Sequence, residues 1–166
     1  DCLINIGFQD QIGLLQAPNS MLIGVYSCKI FRNSFLNENS SLISFEPLQS
    51  DKTGAIEIIN SLISYNKVIH GGILRVRLFD DGYNLSLIFI NNSFLSNVAS
   101  LKGGLFYFKN TGFSSSLESI LNNDKFFFQT KNIRNNWAAQ GLIACVEGLN
   151  SISNSSRFLF VLTLLR

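Results

Sequence analysis

The sequence predicts an all-β chain, a parallel β-helix (solenoid) of about six coils forming a single domain over residues 1–166, and three observations carry that expectation. A motif recurs at coil-length intervals. No window of a dozen residues holds a helical period, while β-branched, aromatic and Asn residues dominate. The apolar runs are short, alternate at period two, and are cut by frequent Gly and Asn turn signals.

The motif is clearest at Phe94, Asn97, Ala99, Gly103, Gly104, Leu105, Phe106 and Tyr107: an aromatic, an Asn three residues on, a small residue two after that, then a Gly-Gly step into an apolar strand. Ile63, Asn66, Val68, Gly71 and Gly72 repeat it with one residue fewer before the glycines. Ile133, Asn136, Ala138 and Gly141 repeat it with a single Gly. A degenerate copy, without glycines, is placed at Leu36 and Asn39. The aligned residues Asn39, Asn66, Asn97 and Asn136 are separated by 27, 31 and 39 residues. A drifting period of this size marks a stack of units that bury their apolar faces only against neighbours. A sandwich has no reason to return one turn residue at such intervals. Stacked coils do, because Asn side chains at equivalent corners can hydrogen-bond along the axis. Asn also tolerates the left-handed conformation such corners require, and Gly fits where a Cβ would clash.

Taken in order, residues 1–20 hold two short apolar runs, 3–6 and 12–15, read as a first, atypical coil with Pro18 and Asn19 as its turn. Residues 21–31 form a longer strand segment interrupted at Gly24. A strand at 42–45 stops at Glu46 and Pro47, a polar loop follows, and 55–60 alternates into the Asn66 turn. Residues 73–79 alternate again, which places Arg75 and Arg77 on one face and predicts that this face meets solvent. Asp80, Asp81 and Gly82 signal a tight turn. Strands at 85–90 and 105–108 enter and leave the best copy, and the Ser-rich 109–123 reads as a loop that widens the last Asn interval. Strands at 126–128 and 142–146 flank the fourth turn. The apolar run 158–165, far shorter than the ~20 residues of a membrane helix, reads as a terminal buried strand.

Hydrophobic residues make up 46% of the chain and charged residues only 14%, which excludes a disordered chain. The net charge of +2 is spread without a basic run, so nothing points to nucleic acid. Of the three cysteines, Cys2 and Cys28 lie near one coil length apart and are the candidate disulfide; a buried thiol is the alternative. Asn39, Asn84, Asn91 and Asn154 fit the Asn-x-Ser/Thr pattern of N-glycosylation. With the charge-poor surface they point to a secreted or cell-surface glycoprotein. The chain begins at Asp1 rather than Met, which reads as a processed chain or a piece of something longer.

The motif at Phe94, Asn97, Ala99, Gly103, Gly104, Leu105, Phe106 and Tyr107 resembles the polymorphic outer membrane protein repeat of chlamydial and large protist surface proteins. The resemblance covers roughly residues 36–143, and departs from the pattern where Ile or Leu replaces Phe and where Gly-Gly is missing after Asn39. It implies a right-handed parallel β-helix with an adhesive or structural role outside the cell. It brings no catalytic residues.

Right-handed β-helices also carry pectin-degrading enzymes, whose chemistry needs several carboxylates on one face, or an acidic calcium cluster with a basic residue. The chain offers one adjacent acidic pair, Asp80 and Asp81, and one histidine, His70, read as a surface turn and an exposed corner residue. No zinc, phosphate-loop, dinucleotide or nucleophile-elbow pattern occurs. Phe89, Phe94, Phe106, Phe108 and 126–128 are expected to stack in the core, whereas Tyr26, Tyr65, Tyr83, Tyr107 and Trp137 are candidates for a carbohydrate-stacking strip. The expected function is therefore not enzymatic and uses no cofactor or metal. It is an extracellular structural subunit whose uncapped ends meet identical chains as a homo-oligomer or filament, with glycans or surface receptors as further partners. A segment of a larger adhesin and a carbohydrate-active enzyme are the alternatives. About six coils at ~4.8 Å each make a rod roughly 30 Å long.

Overall fold

The computed structural model describes residues 2–4, 8–9, 15–17, 22–38, 40–45, 53–78, 84–110, 126–141 and 143–147. These residues are all-β, and every strand pairing among them is parallel. The chain visits three sheets in a fixed rotation and makes five passes among the described residues. The first pass comprises β1 (Cys2–Ile4), β2 (Phe8–Gln9) and β3 (Leu15–Ala17). The second comprises β4 (Leu22–Tyr26) with β5 (Cys28–Phe31), then β6 (Ser34–Phe35) and β7 (Ile43–Phe45). The third comprises β8 (Thr53–Ile59) with β9 (Leu62–Ser64), then β10 (Lys67–His70) and β11 (Leu74–Leu78). The fourth comprises β12 (Asn84–Leu95), β13 (Val98–Lys102) and β14 (Phe106–Asn110). The fifth comprises β15 (Phe126–Arg134), β16 (Trp137–Gln140) and β17 (Ala144–Glu147).

Each pass lies on the next in register, so like residues form rows. Val25, Ile58, Phe89 and Phe128 are one row, Ile30, Ile63, Phe94 and Ile133 a second, and Ile43, Leu74, Phe106 and Ala144 a third. The period-two alternation sends these side chains to one face of each sheet, and the three inner faces share a single apolar core. Each fully buried Ile or Phe of these rows contributes about 1.5–3 kcal/mol. The expected aromatic stack is present: Phe89, Phe94, Phe106 and Phe108 are fully buried, and Phe89 meets Phe106 edge-on at 5.0 Å. Phe127, on the opposite face from Phe126 and Phe128, is 48% exposed. Strand β4 runs through Gly24 without interruption, with the Tyr26 ring over that glycine where a Cβ would sit.

Three corners turn the chain between elements. The first is a bend within the first sheet, where Ser27, Asn60 and Asn91 have φ of 52°, 54° and 58°. From the second pass on, two residues join the first sheet to the second, and the leading one is left-handed: Arg32, Tyr65, Ser96 and Asn135, at φ of 55°, 57°, 54° and 56°. The sequence expectation gave this conformation to the aligned asparagines themselves. The strained position is instead the residue before each of them, whose side chain is free to point outward. The third corner uses Gly71, Gly103 and Gly141, at φ of 57°, 68° and 65°. A Cβ at Gly103 would sit 2.0 Å from the carbonyl oxygen of Phe106, and one at Gly72 would sit 2.0 Å from that of Gly104. In the second pass the register of Ile43 with Leu74 brings Ser40 and Ser41 to the places of Gly71 and Gly72. Both serines are buried; the Ser40 hydroxyl donates to the Phe35 carbonyl at 2.7 Å, and that of Ser41 donates to the Ile43 carbonyl.

Candidate functional site

Two rows of polar side chains run through the stack; the longer one reaches Asn136 in the fifth pass, and that layer is the candidate site. The principal row is Asn33, Asn66, Asn97 and Asn136. Asn33, Asn66 and Asn97 are 1% exposed or less, and Asn136 is half-buried. Each carboxamide nitrogen donates to the side-chain oxygen of the next: Asn33 to Asn66 at 3.0 Å, Asn66 to Asn97 at 2.9 Å, Asn97 to Asn136 at 3.0 Å. The backbone N–H of each of these three donates to the same oxygen, at 3.0, 3.2 and 2.9 Å. The second carboxamide hydrogen turns back to a carbonyl of the preceding pass: Asn66 to Ile30, Asn97 to Ile63 and Asn136 to Phe94. The row's first member is thus Asn33, where the sequence reading placed Asn39; Asn39 lies outside the described residues. The true interval is 33 residues rather than 27. The copy was misaligned because the inward position two after Asn33 is the bulky Phe35, in register with Val68, where the motif leads one to look for a small residue.

A second row, missed in the sequence, lines the bend of the first sheet. The Cys28 N–H donates to the Ser61 hydroxyl at 3.1 Å, the Ser61 N–H donates to Asn92 Oδ1 at 2.9 Å, and Asn92 Nδ2 donates to the Ile58 carbonyl at 2.6 Å. Outside it, Asn91 Nδ2 donates to Asn60 Oδ1 at 2.6 Å. The recurrence of Asn60-Ser61 as Asn91-Asn92, at the spacing of Asn66 and Asn97, was the available signal.

At the fifth pass both kinds of bonding stop among the described residues. Strands β15, β16 and β17 each pair on one side only. The core members Phe126, Phe128, Ile133, Ala138 and Ala144 are only partly buried, and all five belong to this pass. Asn136 receives the row's hydrogen bonds, but its own N–H and the Nδ2 hydrogen that would donate onward have no acceptor among the described residues.

The other sequence candidates scatter. Arg75 is 3% exposed, not solvated as expected. It sits on the outer face of the third sheet between Ser44 and Tyr107, themselves 4% and 3% exposed, so that face is packed over rather than wet. Alternation separates core from non-core; it does not by itself distinguish a covered outer face from a solvated one. Arg77 is half-buried. His70 is likewise half-buried rather than an exposed corner residue, its ring stacked on Tyr107 at 4.8 Å. Tyr26, Tyr65 and Trp137 are exposed but stand at the first bend, at the second corner and in the second sheet, so they form no single strip. Tyr83, Asp80, Asp81 and Asn154 lie outside the described residues, and Asn84 is described in its backbone alone. The half-exposed Asn91 sits on the outer surface. Cys2 and Cys28 stand opposite each other in register, and Cys28 is a buried thiol in this structure, its Sγ donating to the Tyr26 carbonyl at 3.4 Å. Among the described residues no cluster of three metal-ligating side chains occurs and no helix is long and apolar enough to cross a membrane.

The chain is 32% identical over 88 residues to metabotropic glutamate receptor-like protein R of Dictyostelium discoideum; the match covers 52% of this chain and 6% of that protein. No family model and no solved structure matches.

Proposed function

We propose that the three parallel sheets are the faces of a right-handed parallel β-helix, and that this β-helix is a non-enzymatic structural element at the cell surface which stacks end-on against further parallel strands. The observation that carries this reading is the fifth pass, whose strands have an open edge and whose inward side chains are half-covered among the described residues. An open parallel edge over an apolar end face is a template for another layer. The general right-handedness of parallel crossovers supports the hand.

Two sources of that layer fit. The first is further sequence of the same polypeptide, a surface protein of which this β-helix is one module. It is favoured by the Dictyostelium relative, in which the similar stretch is 6% of the length, and by the resemblance of the Asn-Gly-Gly motif to repeats of large surface proteins. The second is an identical chain, giving a filament by head-to-tail association. In either case the sides carry the glycans, with Asn39, Asn84, Asn91 and Asn154 as acceptor sites. At Asn91 a sugar on Nδ2 leaves one hydrogen for Asn60, so the outer bond survives.

Intact-mass analysis of native material, before and after removal of sugars, together with electron microscopy, tests the reading. A sugar-free mass well above 18.5 kDa on a surface-exposed protein is expected for the module, and fibres built from 18.5 kDa subunits for the filament. Unglycosylated isolated monomers from inside the cell refute both.

A further inference from the structure

The stacking reading leaves the chemistry of the partner open, and the asparagine row defines it. We propose that the layer β15–β17 docks a parallel β-layer presenting an asparagine carboxamide at the second corner, another stretch of this repeat. The inference rests on the stacking reading.

The row is directional. From Asn33 through Asn97, each residue sends two hydrogen bonds forward, one from its backbone N–H and one from its carboxamide, and both converge on a single side-chain oxygen in the next pass. Asn136 is therefore the donor end. A layer seated on β15–β17 covers Asn136 as Asn97 covers Asn66, and two donors lose water together. An asparagine Oδ1 at the corner restores both bonds. A residue without a carbonyl side chain leaves both donors buried and unmatched. The half-buried Phe126, Phe128 and Ile133 supply the apolar drive for docking, and the corner supplies the selection.

The test uses the isotopically labelled 166-residue chain and two synthetic peptides covering residues 84–102, one with Asn97 and one carrying Asn97→Gly. In the chain alone the Asn136 backbone amide is expected to exchange rapidly with solvent. The Asn97 peptide slows that exchange and binds at least about tenfold tighter than the glycine peptide, the ratio that one to two recovered hydrogen bonds produce. Equal binding by the two peptides, or binding that leaves the Asn136 amide unprotected, overturns the proposal. So does an Asn136 amide already protected in the chain alone, because the end is then covered. These outcomes concern the corner alone; failure of the surface-module reading shows in the native mass and location.

Discussion

Asn97 shows why a polar row persists in an apolar stack. Its oxygen receives two donors from Asn66, and its nitrogen serves the Ile63 carbonyl and Asn136, all within 3.2 Å. Each of these bonds contributes only about 1 kcal/mol net, less than one stacked Phe, yet breaking the row strands both Asn66 donors in a site without water access. Asn97→Leu is therefore expected to cost about 3–5 kcal/mol in urea denaturation, despite the apolar surface it adds. At the half-buried row end, Asn136→Leu is expected to cost about 1–2 kcal/mol, since water reaches the stranded groups there. Comparable losses at the two sites argue that the row is not cooperative with burial. Three of the four row members were legible in the sequence, because Asn66, Asn97 and Asn136 are each followed by a small or β-branched inward residue and a Gly step. Asn33 was hidden by Phe35 and by the serines that replace the Gly pair. The glycine corners were legible, but the other left-handed positions were not: Ser27, Arg32, Tyr65 and Ser96 carry no common chemistry, since only their backbone is constrained.

At the level of elements, the strands themselves were well marked by alternation, and the covered outer face of the third sheet was not. Ser44, Arg75 and Tyr107 share a row there, and a mixed polar row reads as solvated unless what packs over it is known. The outer face of the first sheet behaves differently. Gly24 lets the Tyr26 ring lie flat along β4, and the Tyr26 hydroxyl donates to the Glu57 carboxylate on β8. That hydrogen bond, with lesser contributions from desolvation and from the negative charge of Glu57, holds the phenol above its ordinary range. A raised folded-state value means that folding favours the protonated phenol. The contribution is fully present below the ordinary phenol range and is lost as pH rises through the folded value. Tyrosinate absorbance is expected to show Tyr26 titrating later than a free phenol, and earlier in Glu57→Gln than in the unaltered chain. An unchanged titration in that variant refutes the coupling.

For the whole molecule, parallel passes in register place residues far apart in sequence side by side, which is how Cys2 comes to face Cys28. Neighbouring strands lie ~4.8 Å apart, inside the window of about 4.4–6.8 Å between the Cα atoms of a disulfide. Peptide mapping of protein recovered from oxidising medium without reductant is expected to yield the Cys2–Cys28 cross-link, and reduction to lower stability by about 3 kcal/mol. Recovery of both as alkylated thiols from oxidising medium refutes the pairing. The passes do not all have one length, and the differences are unevenly placed. From the second pass on, two residues join the first sheet to the second, whereas the connections from the third sheet back to the first, 18–21, 46–52, 79–83 and 111–125, range from four residues to fifteen. Length therefore varies most along one seam of the molecule, and from the second pass on it is constant where the first sheet joins the second. Sequence inserted at that seam leaves the spacing of the layers unchanged, so this edge can acquire new recognition loops without the framework having to evolve with them.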